Sequence, residues 1–394
     1  MMNTLSHGFL AATALALFMI SSTYANGEKH LLFVGTYTNS EGKDTGSKGI
    51  YAYQYDSASG KVVPLGLAAA TVNPAFLAVA SNNKFLYAVN EIGNYEGEQS
   101  GAVVAFALDR KAGKLTKLNE VASRGADPAY ISLDRTGKYV LVANYTAGSV
   151  AVLPIAADGG VERASSVEED KGTLGPYKDR QDHAHAHWIE TSARNHFAYV
   201  ADLGLDRVFI YKFDENKGQL SAGPSNEKDF SSVTLEPGIG PRHIVFSSDG
   251  KYMYVLGELD SSVNVFENDK NETWQPTQKI STLPAGFTAF SKAAEIAIHP
   301  NGKFLYASNR GSDSIAVFAI DGATGKLTLV QHVPSGGKYP RSFTIDSSGK
   351  RLFAANQFSD NIVEFQIDQS SGKLTSMGEV AKVPSPVCLV FTPQ

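Results

Sequence analysis

The chain holds one cysteine in 394 residues, Cys388. No intramolecular disulfide can form, and a nucleophilic thiol is disfavoured because Cys388 lies in the apolar run PVCLVF, where a small thiol behaves as core. Positive charge is not in excess either: 35 Lys and Arg stand against 40 Asp and Glu, a net charge of −5. That balance argues against a nucleic-acid surface and against a polybasic membrane patch. The apolar run at residues 9–20, FLAATALALFMI, falls short of the roughly 20 residues needed to cross a bilayer. It precedes SSTYAN, with Thr23 and Ala25 as small residues before a cut after Ala25, the layout of a secretory signal peptide. Residues 1–25 are therefore expected to be removed, leaving 26–394 as a periplasmic or secreted domain with no membrane insertion. Phosphate-binding and nucleophile motifs are also lacking. There is no Walker sequence, no GxGxxG between a strand and a helix, and no GxSxG elbow. Neither a cofactor nor a metal is expected.

What the chain has in plenty is glycine (36), tyrosine (17) and phenylalanine (21), a composition suited to short strands and tight turns. These residues recur in a repeat. Six segments align without gaps: 82–91 (NNKFLYAVNE), 136–145 (TGKYVLVANY), 194–203 (RNHFAYVADL), 249–258 (DGKYMYVLGE), 301–310 (NGKFLYASNR) and 348–357 (SGKRLFAANQ), at steps of 47–58 residues. Each unit reads as strand, polar turn, strand, loop and a third alternating strand, as in 149–155, 207–213, 262–268, 314–320 and 361–367. A fourth strand follows turns such as 321–330 (DGATGKLTLV). Four antiparallel strands per unit of this length make a propeller blade. The C-terminal PSPVCLVFTPQ matches only a first strand, whereas EKHLLFVGTYTNS near the N-terminus matches a second. The two ends therefore share one blade, and six whole units plus a split one give an all-β, seven-bladed propeller whose closure removes free sheet edges.

Hairpin geometry locates a site without any motif. The start of strand one and the end of strand two of every unit must meet on one face. The first column reads Ala75, Ala129, His187, Arg242, Glu295, Arg341 and Val387; the second reads Thr36, Glu91, Tyr145, Leu203, Glu258, Arg310 and Gln357. The position before the second column carries Asn309 and Asn356, among others. Symmetric folding does not require His, Arg and Glu on one rim, whereas a ligand does. Several arginines around one pocket favour an anionic ligand, since guanidinium pairs bidentately with carboxylate or phosphate.

The segments 238–267 (GIGPRHIVFSSDGKYMYVLGELDSSVNVFE), 301–318, 185–214 and 33–42 (FVGTYTNSEG) resemble the seven-bladed-propeller lactonase family. That family includes propeller-type 6-phosphogluconolactonases and carboxymuconate cyclases, and the resemblance runs from about residue 30 to 394. It implies catalytic roles for His187, Arg242, Glu258 and Arg310, all members of the two columns. Arg341, Glu91, Asn309, Gln357 and His185 are candidate substrate-binding neighbours. One position departs from the family's Asn-Glu-Leu motif, which here begins with Gly257. The implied chemistry is hydrolysis of a sugar-acid lactone, a cyclic ester. Glu258 or His187 would activate water, and the arginines would hold the anionic substrate and the oxyanion. A muconate-type lactone cyclase using the same residues and a non-catalytic binding propeller are the alternatives; a cofactor-dependent dehydrogenase finds no motif. The partner is expected to be a small anionic lactone, and the protein a monomer.

One stretch tests this register. Residues 181–190, QDHAHAHWIE, place His183, His185 and His187 at strand-like alternation, as in a chelator. The repeat assigns His187 to the rim and leaves His183 and His185 in the loop that enters the blade, so an HxHxH metal site is not expected.

Overall fold

The computed structural model describes residues 29–221, 231–269 and 273–393. The proposed signal peptide lies outside these residues. Among the described residues there are seven antiparallel sheets arranged as four-layered blades, one of which fills its outermost position with two short strands, Gln219–Ser221 and Ser231–Thr234, and no helix. The split blade is real. Pro386–Phe391 pairs with Lys29–Thr36, which is followed outward by Gly49–Asp56 and Val62–Ala70. Burying a terminal strand beside a near-N-terminal one closes the ring and leaves no innermost edge exposed.

Burial falls from the second strand of a blade to its outermost one. The second strand of each unit is buried on both faces, as in Tyr139–Asn144, Tyr252–Gly257 and Phe304–Arg310, because its neighbours flank it within the sheet and adjacent blades cover it above and below. The outermost strands are instead exposed or half-buried along most of their length, with one buried leucine near the start, as in Lys114–Ala122 and Leu374–Lys382. The polar turns between the first and second strands, such as 134–139, are stitched by an aspartate. Asp134 accepts hydrogen bonds from the Thr136, Lys138 and Tyr139 backbone amides, an Asx-type turn that frees the flanking residues to pair.

A β-bulge recurs at the start of strand one. Pro241 pairs with Gly257 and His243 with Leu256, so Arg242 has no partner. Ala75, Ala129, His187 and Arg341 occupy the same unpaired position in their blades. A bulge re-aims the extra side chain, and here it turns that column toward the ring axis.

The register corrects two column assignments. In the blade carrying Lys292–Ile298, Ala293 pairs with Asn309 and Ile296 with Ala307. The residue equivalent to Arg242 is therefore Ala294, and Glu295 is the counterpart of His243. In the split blade Thr36 pairs with Pro386, which makes it equivalent to Gly257 and places Tyr37 in the column of Glu258. The first follows from the gapless alignment of Gly302 with Gly250, which sets Ala294 against Arg242.

Candidate active site

Four arginines from three blades and one loop surround two carboxylates. Glu258, at the end of its strand, is 2% exposed. Its Oε2 lies 2.7 Å from Arg310 Nη2 and 3.2 Å from Arg242 Nε, while Oε1 lies 2.6 Å from Arg180 Nη2. Burial alone would raise the carboxyl's pKa, but Arg310, Arg180 and Arg242 outweigh it and hold the group well below the usual carboxylate range. Glu258 is therefore a fixed anion, anchoring three guanidiniums. Arg242, also buried, donates to the Ala294 carbonyl and to His243 Nε2. Burial and repulsion from Arg310 and Arg341 pull it down to about 9, so it stays charged at neutral pH. Arg310 Nη2 also donates to the Ala293 carbonyl, 2.9 Å away, and its guanidinium lies over the Tyr339 ring.

The second carboxylate sits in a smaller group. Tyr37 donates its hydroxyl proton to Glu91 Oε2 at 2.7 Å and accepts from Arg341 Nη2, also at 2.7 Å. The Arg341 guanidinium lies over the Tyr37 ring and 4.0 Å from Glu91 Oε2. Burial raises the Glu91 carboxyl despite Arg341 and the Tyr37 hydrogen bond. Tyr37 stands one residue beyond Thr36, the residue that the sequence columns placed here.

His187 occupies its bulge, 4% exposed. Its ring meets Tyr145 and His243 edge to face, with centroids 5.5 and 5.2 Å apart. Burial, reinforced by Arg242 and His243, pushes its pKa well below the ordinary value, so the imidazole is neutral at pH 7. Its Nδ1 is buried and has no hydrogen-bond partner.

Beneath these residues, His243 and Glu295 plug the axis. His243 Nδ1 donates to Glu295 Oε1 at 2.7 Å while Nε2 accepts from Arg242 Nη1. This pattern suits a neutral ring, and burial brings His243 down to about 4. A cavity of about 880 Å³ lies on the far side of the plug, lined by Tyr130, Trp188, Glu190, His243, Phe246 and Glu295 among others. It does not include the arginine cluster. The convergent charges lie on the other side, and chemistry follows the charges.

Of the remaining candidates, Gln357 is buried with its Oε1 unpartnered. Asn309 is engaged with the preceding blade, donating to the Thr282 carbonyl and accepting from its hydroxyl. His185 stacks on Tyr145 and has both ring nitrogens within hydrogen-bond range of other groups, the Tyr145 carbonyl and Asp182. Arg180 is the residue the repeat cannot reveal. It comes from the connection at 170–185, longer than its counterparts at 71–73 and 123–127. That extra length was the one visible signal.

Gly257 now has a reason. The equivalent residues Asn144, Asn309 and Asn356 bridge to the preceding blade's outer connection through Ser123, Thr282 and Ser335. At Gly257 the space is taken: a Cβ would meet the Asp260 carboxylate and lie 2.7 Å from Ile239 Cγ2. The missing amide therefore leaves no void beside Glu258.

The profile of the family described as "Lactonase, 7-bladed beta-propeller" matches residues 31–391. The chain is 34% identical over 367 residues to a 6-phosphogluconolactonase of Bacillus subtilis, covering 93% of this chain and 99% of that one. It is 35% identical over 323 residues to a 6-phosphogluconolactonase of Formosa agariphila, covering 80% and 86%. The solved periplasmic gluconolactonase of Pseudomonas aeruginosa superposes with a TM-score of 0.83 at 33% identity, covering 93% of this chain and 99% of that chain. On this fold, register and likeness, the chain belongs to the seven-bladed β-propeller lactonase family.

Proposed function

We propose that the protein hydrolyses a sugar-acid lactone at the Glu258 cluster. The observation that carries this reading is a set of buried nitrogens without hydrogen-bond partners: the donors Arg180 Nη1 and Arg310 Nε, and His187 Nδ1. Each such atom costs about 1–3 kcal/mol when left unpaired, and all belong to one group of facing side chains. Four guanidiniums against Glu258 and Glu91 leave positive charge uncompensated, which an anion or a developing oxyanion supplies.

In the reaction, the lactone carbonyl oxygen takes hydrogen bonds from Arg242 and Arg310. His187, neutral because it is buried among cations, accepts a proton from water as the water oxygen attacks the carbonyl carbon. The resulting oxyanion is stabilised by the same two guanidiniums, fixed beforehand by Glu258. The imidazolium then returns its proton to the ring oxygen as the C–O bond breaks, releasing a hydroxy acid. Glu258, held ionised by three cations, acts as the anchor of the oxyanion site in place of a base. Arg341 and Arg180, on the more exposed side, bind the substrate's polar or acidic tail.

The names carried by the relatives support a six-carbon aldonolactone, phosphorylated or not. Export of the mature chain, expected from residues 1–25, favours the unphosphorylated compound. Proton release in a pH-stat, measured against glucono-δ-lactone and its 6-phosphate, tests the proposal. Failure to accelerate ring opening of either over the spontaneous rate would refute it.

A further inference from the structure

Upstream of His187, Asp182, His183 and His185 bring one ligand atom each within 4.8 Å of one another. His185 Nε2 lies 3.0 Å from Asp182 Oδ1, and His183 Nδ1 lies 3.0 Å from Asp182 Oδ2. The opposite nitrogens face backbone carbonyls: His185 Nδ1 is 3.1 Å from the Tyr145 oxygen, and His183 Nε2 is 2.8 Å from the Thr146 oxygen. A carbonyl only accepts, so each outer nitrogen must carry the proton. In the neutral rings, both inner nitrogens are then lone pairs aimed at a carboxylate. Three acceptors converging on one point repel each other unless an imidazolium proton or a metal cation lies between them.

We propose that Asp182, His183 and His185 bind one zinc-class divalent cation, which fastens the loop that presents Arg180 to Glu258. Two imidazoles and one carboxylate are a borderline-soft set suited to zinc and its neighbours, and poorly suited to magnesium or calcium. The Tyr145 and Thr146 carbonyls fix the tautomers, as outer partners of metal-bound histidines commonly do.

The backbone is organised in advance for this role. The loop rests directly on two glycines: a Cβ on Gly204 would overlap the His183 carbonyl, and one on Gly148 would overlap that of Ala184. The His185 amide donates to Asp202 Oδ1 at 3.0 Å, and Gln181 Nε2 donates to the Leu203 carbonyl at 2.8 Å. The ring of His185 stacks on Tyr145 with centroids 4.4 Å apart, and Tyr145 accepts a hydrogen bond from Arg180. The cation site thus adjoins the arginine cluster and stays separate from it. It also differs from a three-histidine chelator, since His187 belongs to the other group.

The test uses the untagged protein, stripped with chelator, equilibrated with Zn²⁺ alone and passed through gel filtration. The proposal predicts one zinc per chain, undisturbed by millimolar Mg²⁺. Asp182 is exposed and His183 half-buried, so Asp182→Ala and His183→Ala should fold, as circular dichroism would verify. Each should weaken zinc binding by more than about tenfold, the smallest loss typical even of an outer-shell partner. His196→Ala, at an exposed histidine elsewhere, should leave it unchanged. No zinc retained by the parent protein would overturn the proposal, as would full retention in the Asp182→Ala/His183→Ala double variant or an equal loss in His196→Ala.

Discussion

Arg180 Nη2 stands 2.6 Å from Glu258 Oε1 and 3.1 Å from the Tyr145 hydroxyl, although the two charged residues are separated by more than a whole repeat. Glu258 comes from a blade's second strand; Arg180 comes from the connection between two other blades. Replacing Arg180 by alanine removes a donor on the open side while Arg242 and Arg310 keep Glu258 ionised. Steady-state kinetics should show kcat/KM falling about tenfold or more, mainly through KM. Lysine should restore only part, because a point charge cannot reproduce the planar guanidinium's paired contacts.

His187→Gln should lower kcat by about 10²–10⁴, the usual worth of a positioned base, with KM changed little. The neutral ring is the active form, and its pKa is depressed well below the ordinary value. Activity is therefore present above that depressed pKa and lost as pH falls through it. In a kcat/KM profile the acid limb should lie below the ordinary histidine value of about 6.5, leaving a flat profile between about pH 6.5 and 8. An acid limb at 7 or above would remove His187 from the role of base.

The three guanidiniums around Glu258 make the carboxylate a stability element as well. Glu258→Ala leaves buried cations uncompensated, and breaking a buried pair in this way costs about 3–5 kcal/mol. Chemical denaturation should show that loss, with Glu258→Gln intermediate because the amide oxygen still accepts.

Much of this was legible in the residues. The six gapless segments and the complementary half-repeats at the two ends specify seven closed blades, because a strand that matches half a unit needs its other half. The bulge column was visible for the same reason: the proline before Arg242 and Arg341 marks the last paired residue before the re-aimed one. Legibility failed where a side chain's partner comes from outside the repeat. Arg180 has no counterpart in other blades, and the donor pattern around His183 and His185 depends on carbonyls of Tyr145 and Thr146. Glu295 and Tyr37 differ from the expected columns by a one-residue slip of alignment with no shift of the chain itself, and one residue in a strand exchanges one face for the other.

Gly257 illustrates the local cost of symmetry. Asparagine fits this position in other blades, so Gly257→Asn reads as a return to the common pattern. Here Ile239 and Asp260 fill the space, and overpacking of this kind costs about 1–3 kcal/mol. Thermal unfolding should show a lowered midpoint, and the displaced Asp260 should lose its 3.1 Å pair with Lys279.

The central claim is that buried arginines, fixed by Glu258, stabilise the oxyanion of a lactone. Its most direct test is the pH-stat rate of glucono-δ-lactone opening, with and without the 6-phosphate, for the parent protein and for Arg242→Ala. Removing one oxyanion donor typically lowers kcat about 10²–10³-fold, and the account predicts a loss of that size on the accepted lactone in a variant that remains folded. Lactone hydrolysis at the parental rate in folded Arg242→Ala would contradict it.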